Sequence, residues 1–307
     1  MTPQFRARAS KDLPPKKTSY TFGILTTPAK DIFHSNYHRG LLSGIVPRVK
    51  AVGGRLKILM MPSLPYRSLD QILSENSLDA LLILTWRWIH PSLSCLIEKK
   101  RHSRVLVVND PMPGLGVNLV YTDTDAGMKQ AVAHLVREGR SGIGMVHGPV
   151  SVTFGSGEKK RRVPFIDTRL KRSGFLKALR EKRVSGKSKW MRAGAANTEA
   201  EGFRVMKLWL REKNLPAAIV CGNDDLAFGV LRAIKEAGRR VPRDMAVTGF
   251  DDNERAKNSR PPLTTVRQPL ARMGRDAVDI LVRKIRNPSG KVVSRKYLPK
   301  LIVRKTA

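Results

Sequence analysis

The stretch Pro216–Pro269 constrains the fold more than any other part of the chain. It opens with the short apolar run AAIVC, which is typical of a buried strand. Ala227, Leu231 and Ile234 then recur at helical spacing, and Gly238 stands where a helix commonly ends. The second apolar run, MAVTGF, completes a strand–helix–strand unit. Two parallel strands joined by one helix predict an α/β fold with a doubly wound parallel sheet.

Polar residues follow both strands of this unit. Asn223-Asp224-Asp225 come after the first strand, and Asp251-Asp252 come after the second. Ligands of open α/β sheets bind beyond the carboxyl ends of the strands, so these residues are candidate ligand contacts. Asn and Asp also favour helix N-caps and turns, which is the alternative role for each single residue. Polar clusters at both strand ends favour a binding site, with Asp251 and Asn223 among its candidate contacts.

The same stretch resembles the effector-binding core of the lactose/galactose/purine repressor family of bacterial transcription regulators. GNDDLAFGVLRAIKEAGRRVPRDMAVTGFDD followed by PPLTTVRQP matches the family's pattern in order and spacing, and the resemblance extends over about residues 20–304. It implies two parallel-sheet lobes of the periplasmic-binding-protein-like type I kind, joined by three crossovers. We expect the crossovers near residues 147–149, 265–269 and 287–293. The first lobe would then hold residues 20–148 and 267–290, including the helix Leu270–Arg286, and the second lobe residues 149–266 and 291–307.

Residues 1–19 do not fit the resemblance. They predict an extended basic arm with a single acidic residue, Asp12, and the pair Pro14-Pro15. Family members carry a helix-turn-helix of about fifty residues at this point, which this length cannot hold. Three explanations stay open: truncation, a natural protein without such a domain, or a mis-assigned start codon. The predicted nucleic-acid contacts of the arm are Arg6, Arg8, Lys11, Lys16 and Lys17.

The net charge of the chain indicates a polyanionic partner. The sequence has 58 basic and 25 acidic residues, which gives +33. That excess favours DNA as a partner, bound either directly by this chain or through a missing N-terminal DNA-binding domain. A generally basic proteome, or a merely solvated surface, is the alternative.

The sequence contains no evident targeting or membrane segment. Its N-terminal residues include no continuous apolar core of a signal peptide, and no apolar run approaches the ~20 residues that span a bilayer. Cys95 and Cys221 are far apart, which indicates neither a disulfide framework nor a metal site and fits a reducing compartment. If Met1 is the true start, these features predict a cytoplasmic protein with no membrane partner.

Two loops supply the predicted first-lobe wall of the ligand site. The strand YTFGILTT leads into a loop that includes Asp31 and Phe33. The strand LDALLILT leads into a loop that includes Trp86 and Trp88. These tryptophans could stack on the apolar face of a sugar ring, pack in the core or form a dimer contact, and the sequence leaves the three roles open.

The second lobe departs from the family's pattern in two places. The segment SVTFGSGEKKRRVPFIDT makes an unusually long loop, which is either a solvated, disordered insert or a lid that brings cations to an anionic ligand. The family clamps its ligand with an Arg three residues before a helix glycine, here Gly174, and Lys171 occupies that position. An ammonium does not replace a guanidinium fork, so Arg172 beside it is a second candidate. Asn197 lies where some members place an aromatic residue.

No catalytic, metal or cofactor motif emerges from the sequence. The six histidines lack metal-ligand spacing except for His34 and His38, which have no adjoining Glu. There is no Gly-x-Ser-x-Gly and no dinucleotide fingerprint. We therefore predict a binding protein with no cofactor, not an enzyme. Asp and Asn side chains suit hydroxyl groups, which predicts a small carbohydrate-like effector, with an anionic effector as an option.

Two functions from different classes follow from these observations. In the first, the chain is the effector-sensing portion of a transcription regulator, in which ligand closes the lobes and shifts DNA affinity through a homodimer of first lobes. The family assembles that way, and apolar helices such as Leu41–Val52 would form the contact. In the second, it is a stand-alone cytoplasmic carbohydrate-binding protein that has no operator. An in-frame helix-turn-helix upstream of Met1 would distinguish them.

Overall fold

The protein folds into two lobes, each built on a six-stranded sheet. The structure is a computed structural model that describes residues 19–26, 35–60, 69–84, 102–109, 116–154, 161–184 and 190–307. The strands are β1 (Tyr20–Thr26), β2 (Gly54–Met60), β3 (Ala80–Ile83), β4 (His102–Val108), β5 (Val117–Thr122), β6 (Ile143–His147), β7 (Ser151–Phe154), β8 (Arg161–Pro164), β9 (Met191–Ala193), β10 (Ala218–Cys221), β11 (Ala246–Asp251), β12 (Thr264–Arg267), β13 (Ser294–Tyr297) and β14 (Lys300–Ile302). The helices are α1 (Asn36–Ala51), α2 (Leu69–Glu75), α3 (Thr124–Arg137), α4 (Ile166–Glu181), α5 (Glu199–Trp209), α6 (Asp224–Glu236), α7 (Glu254–Asn258) and α8 (Leu270–Arg286).

The first sheet has the strand order β13-β5-β4-β3-β1-β2, and its strand pairs are parallel. Phe22 lies opposite Leu56 on one neighbouring strand and opposite Ala80 on the other. Strand β3 is buried at every residue, as expected of a parallel strand with helices on both faces. Helices α1 and α8 cover one face, and α2 covers the other.

Helices α1 and α8 run in the same direction and pack closely. Gly44 lies against Ala271, and a Cβ at this position would overlap the Ala271 carbonyl oxygen. The approach therefore requires glycine. Further along both helices, Arg48 donates from Nε to Asp279 Oδ1 over 2.6 Å. This packing confirms that the helix Leu270–Arg286 belongs to the first lobe.

A proline inside a helix usually interrupts or kinks it. Helix α1 nevertheless continues through Pro47 to Ala51. Its buried stripe of Leu41, Ile45 and Val49 packs in the same cluster as α8, and this packing stabilises the helix despite the lost backbone donor. The same stripe lies inside the lobe, so a dimer contact through α1 would use the exposed face of the helix instead, which includes Val46.

The second sheet has the order β14-β12-β11-β10-β6-β9 and is parallel except for β14. Helices α3 and α4 pack on one face, and α5 and α6 on the other. The strand–helix–strand unit is confirmed as β10, α6 and β11. Asn223 caps the start of α6, and Gly238 follows its end with φ +70.

Strand pairing places two of the three crossovers elsewhere than predicted. The second crossover matches, because β12 ends in the second sheet and α8 begins in the first lobe. The first lies between β5 and α3, near Asp123, because α3 and β6 already belong to the second lobe. The third lies at Leu298-Pro299, because β13 still pairs with β5 in the first sheet. The lobes are therefore residues 20–122 with 268–297, and residues 123–267 with 298–307.

The long segment after Pro149 begins and ends in a two-stranded hairpin. Strand β7 pairs antiparallel with β8, and Arg162 Nε donates to Ser151 Oγ over 2.6 Å. This pairing corrects the prediction of a disordered insert for the ends of the segment. Residues 155–160, which include both of its glycines, lie outside the described residues.

Candidate functional site

Polar residues of the second lobe gather at the carboxyl ends of its central strands. Strand β6 ends at His147, β10 is followed by Asn223, and β11 ends at Asp251. These strands are neighbours in the sheet, so their carboxyl ends share one edge. Helix α4 places the positive charge of Lys171 near Asp251 and that of Arg172 near His147.

Asp251 has a backbone conformation that side-chain-bearing residues rarely adopt. Its φ is +124, and the next residue, Asp252, has φ +53. Such strain persists where the surrounding structure enforces it, and it often marks ligand sites. Asp251 Oδ1 accepts a hydrogen bond of 2.7 Å from Gln268 Nε2. In this backbone conformation the Asp251 carboxyl lies against Gln268, at the crossover between the lobes.

The environment of Asp251 favours its neutral form. Burial raises the pKa of this carboxyl to about 7, and the charges of Asp224 and Asp167 add to the rise. The nearby Lys171 ammonium and the bond from Gln268 act in the opposite direction. A carboxyl that titrates near neutrality can accept from a ligand hydroxyl as an anion, or donate to a ligand oxygen as an acid.

The Lys171 side chain is buried and already engaged. Its Nζ lies 2.9 Å from Asp167 Oδ2 and 4.3 Å from the centroid of the Phe250 ring. Only 5% of the residue is exposed. Lys171 therefore contributes positive charge near Asp251, and a ligand would have to share its ammonium with Asp167.

Asn223 and Asn197 hold each other in place. Asn223 Oδ1 accepts from Leu226 N over 2.9 Å, which is the capping role that the sequence left as an alternative, and its Nδ2 donates to Asn197 O over 3.1 Å. A Cβ at Gly148 would overlap Asn197 Oδ1, so the Asn197 side chain packs directly on the end of β6. Both residues lie at the predicted edge of the sheet.

Arg172 and His147 form a second polar pair at this edge. Burial lowers the pKa of His147, the Arg172 charge lowers it further, and the bond between His147 Nδ1 and Gly148 O at 2.6 Å opposes both. The buried Nε of Arg172 has no hydrogen-bond partner among the described residues. A buried N–H of this kind is stabilised when a ligand supplies an acceptor.

Gln268 links the site to the first lobe, and the sequence analysis did not identify it. Its Oε1 accepts from Thr122 Oγ1 over 2.7 Å and from Asn109 Nδ2 over 3.0 Å. Asn109 has φ +58, and its Oδ1 accepts from Thr122 N over 2.7 Å. A continuous hydrogen-bonded chain therefore runs from Asp251 in the second lobe to the ends of β4 and β5 in the first.

A cleft of about 420 Å³ opens between the lobes beside Asp251. Its first-lobe wall is the amino-terminal half of α1 and the start of α8, and its second-lobe wall includes residues 251–254 and Arg267. Gln268 lines it at the crossover. The volume suits a small ligand. Asp251 is the predicted contact on this wall, whereas Lys171, Arg172, Asn197 and Asn223 lie away from it at the same sheet edge.

Other carboxylates near the site have structural partners. Asp224 accepts from Thr265 Oγ1 over 2.5 Å and from Asn253 N over 2.7 Å, and burial raises its pKa to about 6. Asp252 pairs with Arg304 over 2.7 Å. These bonds hold β11, β12 and the last residues of the chain together. Asp224 therefore supports the site from behind, whereas Asp251 and Asp252 line the cleft, with Asp252 engaged by Arg304.

Several predicted contacts lie outside the described residues. They are the first-lobe contacts Asp31, Phe33, Trp86 and Trp88, and the arm residues Arg6, Arg8, Lys11, Lys16 and Lys17. Within the described ranges, no three His, Cys, Asp or Glu side chains come together as a metal site. None of the described helices has the length and apolarity that crossing a bilayer requires.

Comparison with known proteins assigns the family. Residues 132–307 match the family described as periplasmic binding protein-like domain. The transcriptional repressor PurR of Haemophilus influenzae (strain PittEE) is 30% identical over 239 residues, which cover 77% of this chain and 66% of that repressor. PurR of Salmonella paratyphi B is 29% identical over 241 residues, covering 78% and 66%. The chain thus spans 66% of the length of these curated relatives.

Solved structures show the same two-lobed fold. A LacI transcriptional regulator from a Rhodococcus species has a TM-score of 0.74 and 27% identity, with 94% of this chain and 98% of that chain covered. The regulator CelR in complex with cellobiose has a TM-score of 0.78 and 22% identity, covering 94% and 84%. The lac repressor dimer bound to operator has a TM-score of 0.76 and 23% identity, covering 95% of each. The chain belongs to the periplasmic binding protein-like domain family and matches the effector-binding region of LacI-family regulators.

Proposed function

We propose that this chain is the ligand-sensing portion of a transcription regulator, and that a small carbohydrate-like effector binds between its lobes. The observation that carries the proposal is the Asp251 carboxyl, which lines a cleft between the lobes and bonds to Gln268 at the crossover. A ligand that bonds to Asp251 competes with or reinforces the Gln268 bond. Its binding energy is thereby coupled to the relative position of the lobes.

The effector proposal rests on the chemistry of the sheet edge. Asp251, Asn223 and Asn197 supply donors and acceptors suited to hydroxyl groups, and such groups reject ligands that leave them unpaired. The buried, unpartnered Arg172 Nε favours an effector that also carries an acidic group or another strong acceptor. Structures of two regulators of this fold contain cellobiose and ribose.

Coupling to DNA is the second part of the proposal. The curated relatives are named as transcriptional repressors, and this chain corresponds to 66% of their length. We propose that effector binding to this region changes the DNA affinity of a DNA-binding domain that is encoded in the same protein. The alternative is a stand-alone carbohydrate-binding protein, and an in-frame helix-turn-helix in the DNA upstream of Met1 would decide between them. In both cases we propose a cytoplasmic protein that is not an enzyme.

We also propose that the chain forms a homodimer through its first lobe. Strand β2 is an edge strand of the sheet, and Ile58 on it is 44% exposed. Val46 on the neighbouring helix α1 is 48% exposed. An exposed apolar edge is stabilised by pairing with another copy. The lac repressor of similar fold was determined as a dimer.

A thermal-shift screen tests the effector proposal. The full chain would be heated with neutral mono- and disaccharides, with sugar phosphates and with sugar acids. A ligand present at about 100 times its Kd stabilises the native state by ~2.7 kcal/mol, which raises the melting temperature measurably. Arg172→Gln is the matched variant, because it should weaken acidic ligands more than neutral ones. If no compound in any class shifts the transition, the carbohydrate assignment is wrong.

A further inference from the structure

The amino-terminal end of the first sheet carries basic side chains with few acidic neighbours. Helices α1 and α8 both end there, because they run parallel to each other, with Gly44 against Ala271. Residues 35–60 contain five basic and no acidic residues, and residues 280–297 contain six basic and no acidic residues. Both segments therefore bring positive charge to this end of the lobe without acidic residues of their own.

Five basic side chains define this surface, which we call the basic end: Lys50, Arg55, Arg283, Arg286 and Lys291. All five are exposed. Lys50 lies in the last turn of α1, and Arg283 and Arg286 lie in the last turn of α8. The Lys291 carbonyl accepts from Lys284 Nζ, so the loop after α8 folds back onto the same end.

The basic end surrounds the first described strand. Arg286 Nε donates to Tyr20 OH over 3.2 Å, and Arg55 lies in register with Thr21 on the neighbouring strand. At this edge, Asp79 Oδ2 accepts from the backbone N of Thr21 over 2.8 Å. Residues 1–18, with five basic residues and one acidic residue, join the lobe at this same point.

The helix dipole explains only part of this arrangement. Helix carboxyl ends favour basic residues in their last turn. At the ends of α5 and α6, however, Lys207 is paired with Glu236 over 3.6 Å. None of the five side chains of the basic end forms an ion pair with a described residue. Their mutual repulsion is relieved by a partner that supplies negative charge.

We propose that the basic end is a binding surface for the phosphate backbone of duplex nucleic acid. The surface has long side chains on an open end instead of a cavity, which suits an extended polyanion with regularly spaced charges. Its guanidinium groups match phosphate oxygens in geometry. Binding to a membrane surface usually needs large apolar or aromatic side chains beside the charges. Among the described residues, the exposed large apolar side chains include no aromatic.

Two matched triple variants of the full chain test this surface. The first is Lys50→Gln/Arg283→Gln/Lys291→Gln at the basic end. The second is Lys182→Gln/Lys213→Gln/Lys257→Gln, which changes three exposed lysines of the second lobe. Each variant lowers the net charge from +33 to +30. Neither set includes a residue that lines the cleft or forms an ion pair, so both variants should keep the native thermal transition.

The probe is a random-sequence duplex, titrated by fluorescence anisotropy at several salt concentrations. The wild type should bind without sequence preference. Each phosphate neutralised contributes ~0.9 to the slope of log K against log salt, so the basic-end variant should lose about 2 to 3 from that slope. The control variant should keep the slope. Equal slopes in the two variants would show that the charge acts diffusely and would overturn the proposal.

Two further probes separate the possible polyanions. Single-stranded RNA and vesicles of phosphatidylserine and phosphatidylcholine are titrated with the same three proteins. Loss of vesicle binding in the basic-end variant, with duplex binding unchanged, would assign the surface to membranes and overturn the proposal. The proposal would also be overturned if the wild type bound single-stranded RNA more tightly than duplex and the basic-end variant lost that binding. The outcome does not depend on effector binding, so the proposed function is tested separately.

Discussion

The substitution Asp251→Asn should stabilise the protein, and the gain should grow with pH. The carboxyl has an ordinary pKa of 3.8, and burial raises it to about 7 in the folded protein. Between those values the folded state holds a proton that the unfolded state has released, so wild-type stability falls as pH rises from about 4 to about 7. One pKa unit corresponds to ~1.36 kcal/mol, so the full effect is at most ~4 kcal/mol. Asn cannot ionise, tolerates an unusual φ and can still accept from Gln268.

Urea unfolding at pH 5, 6, 7 and 8 measures this effect, with tryptophan fluorescence as the signal. Trp209 is fully buried in the second lobe, where Asp251 lies. Glu201→Gln is the matched control with the opposite sign. Arg204 and the Ala195 amide lower the pKa of Glu201 to about 2. The Glu201 carboxyl is therefore ionised in both the folded and the unfolded protein from pH 5 to pH 8, and the stability lost in Glu201→Gln should not change with pH. If the gain from Asp251→Asn is also constant from pH 5 to pH 8, the proposed burial of Asp251 is wrong.

Three further predictions concern the fold, the arm and the assembly. Gly44→Ala should destabilise the first lobe by ~1–3 kcal/mol, because the new Cβ meets the Ala271 carbonyl. Gly40→Ala should have less effect, because its Cβ meets only the flexible Leu270 side chain, and urea titration of both variants compares the two losses of stability. A chain that begins at Thr18 should lose up to ~4 from the salt slope of duplex binding, and equal slopes would exclude Arg6–Lys17 from the contact. Light scattering at micromolar concentration should show a homodimer that Ile58→Glu converts to monomer, and a wild-type monomer would contradict the assembly.

Local patterns predicted the centre of the second lobe well. The apolar runs, the Asn223 cap and Gly238 define β10, α6 and β11, because the bonds involved join neighbours in the chain. The placement of α3 was wrong. Its apolar stripe predicts a buried face but does not say which sheet covers it, and the structure packs Met128 and Leu135 in the second lobe.

The short strands at the end of the chain show the same limit. Strands β13 and β14 are separated by only two residues, and they join different sheets. Gln268 was missed for a related reason, since its bonds to Asn109 and Thr122 join residues more than 140 positions apart. By contrast, the engagement of Lys171 by Asp167 could have been read from their spacing of four residues on a helix.

Calorimetry of Asp251→Ala tests the central claim most directly. The titrant is the compound that gives the largest thermal shift with the wild type. The titration is made at pH 8, above the Asp251 pKa of about 7, so that the carboxyl is charged. A hydrogen bond to a charged group contributes ~1.5–3 kcal/mol, so the variant should bind at least about tenfold more weakly. Asp244→Ala is the control, because this exposed carboxylate lies at the opposite end of the same strand and should bind like the wild type. Unchanged affinity in a folded Asp251→Ala protein would contradict a ligand site at Asp251.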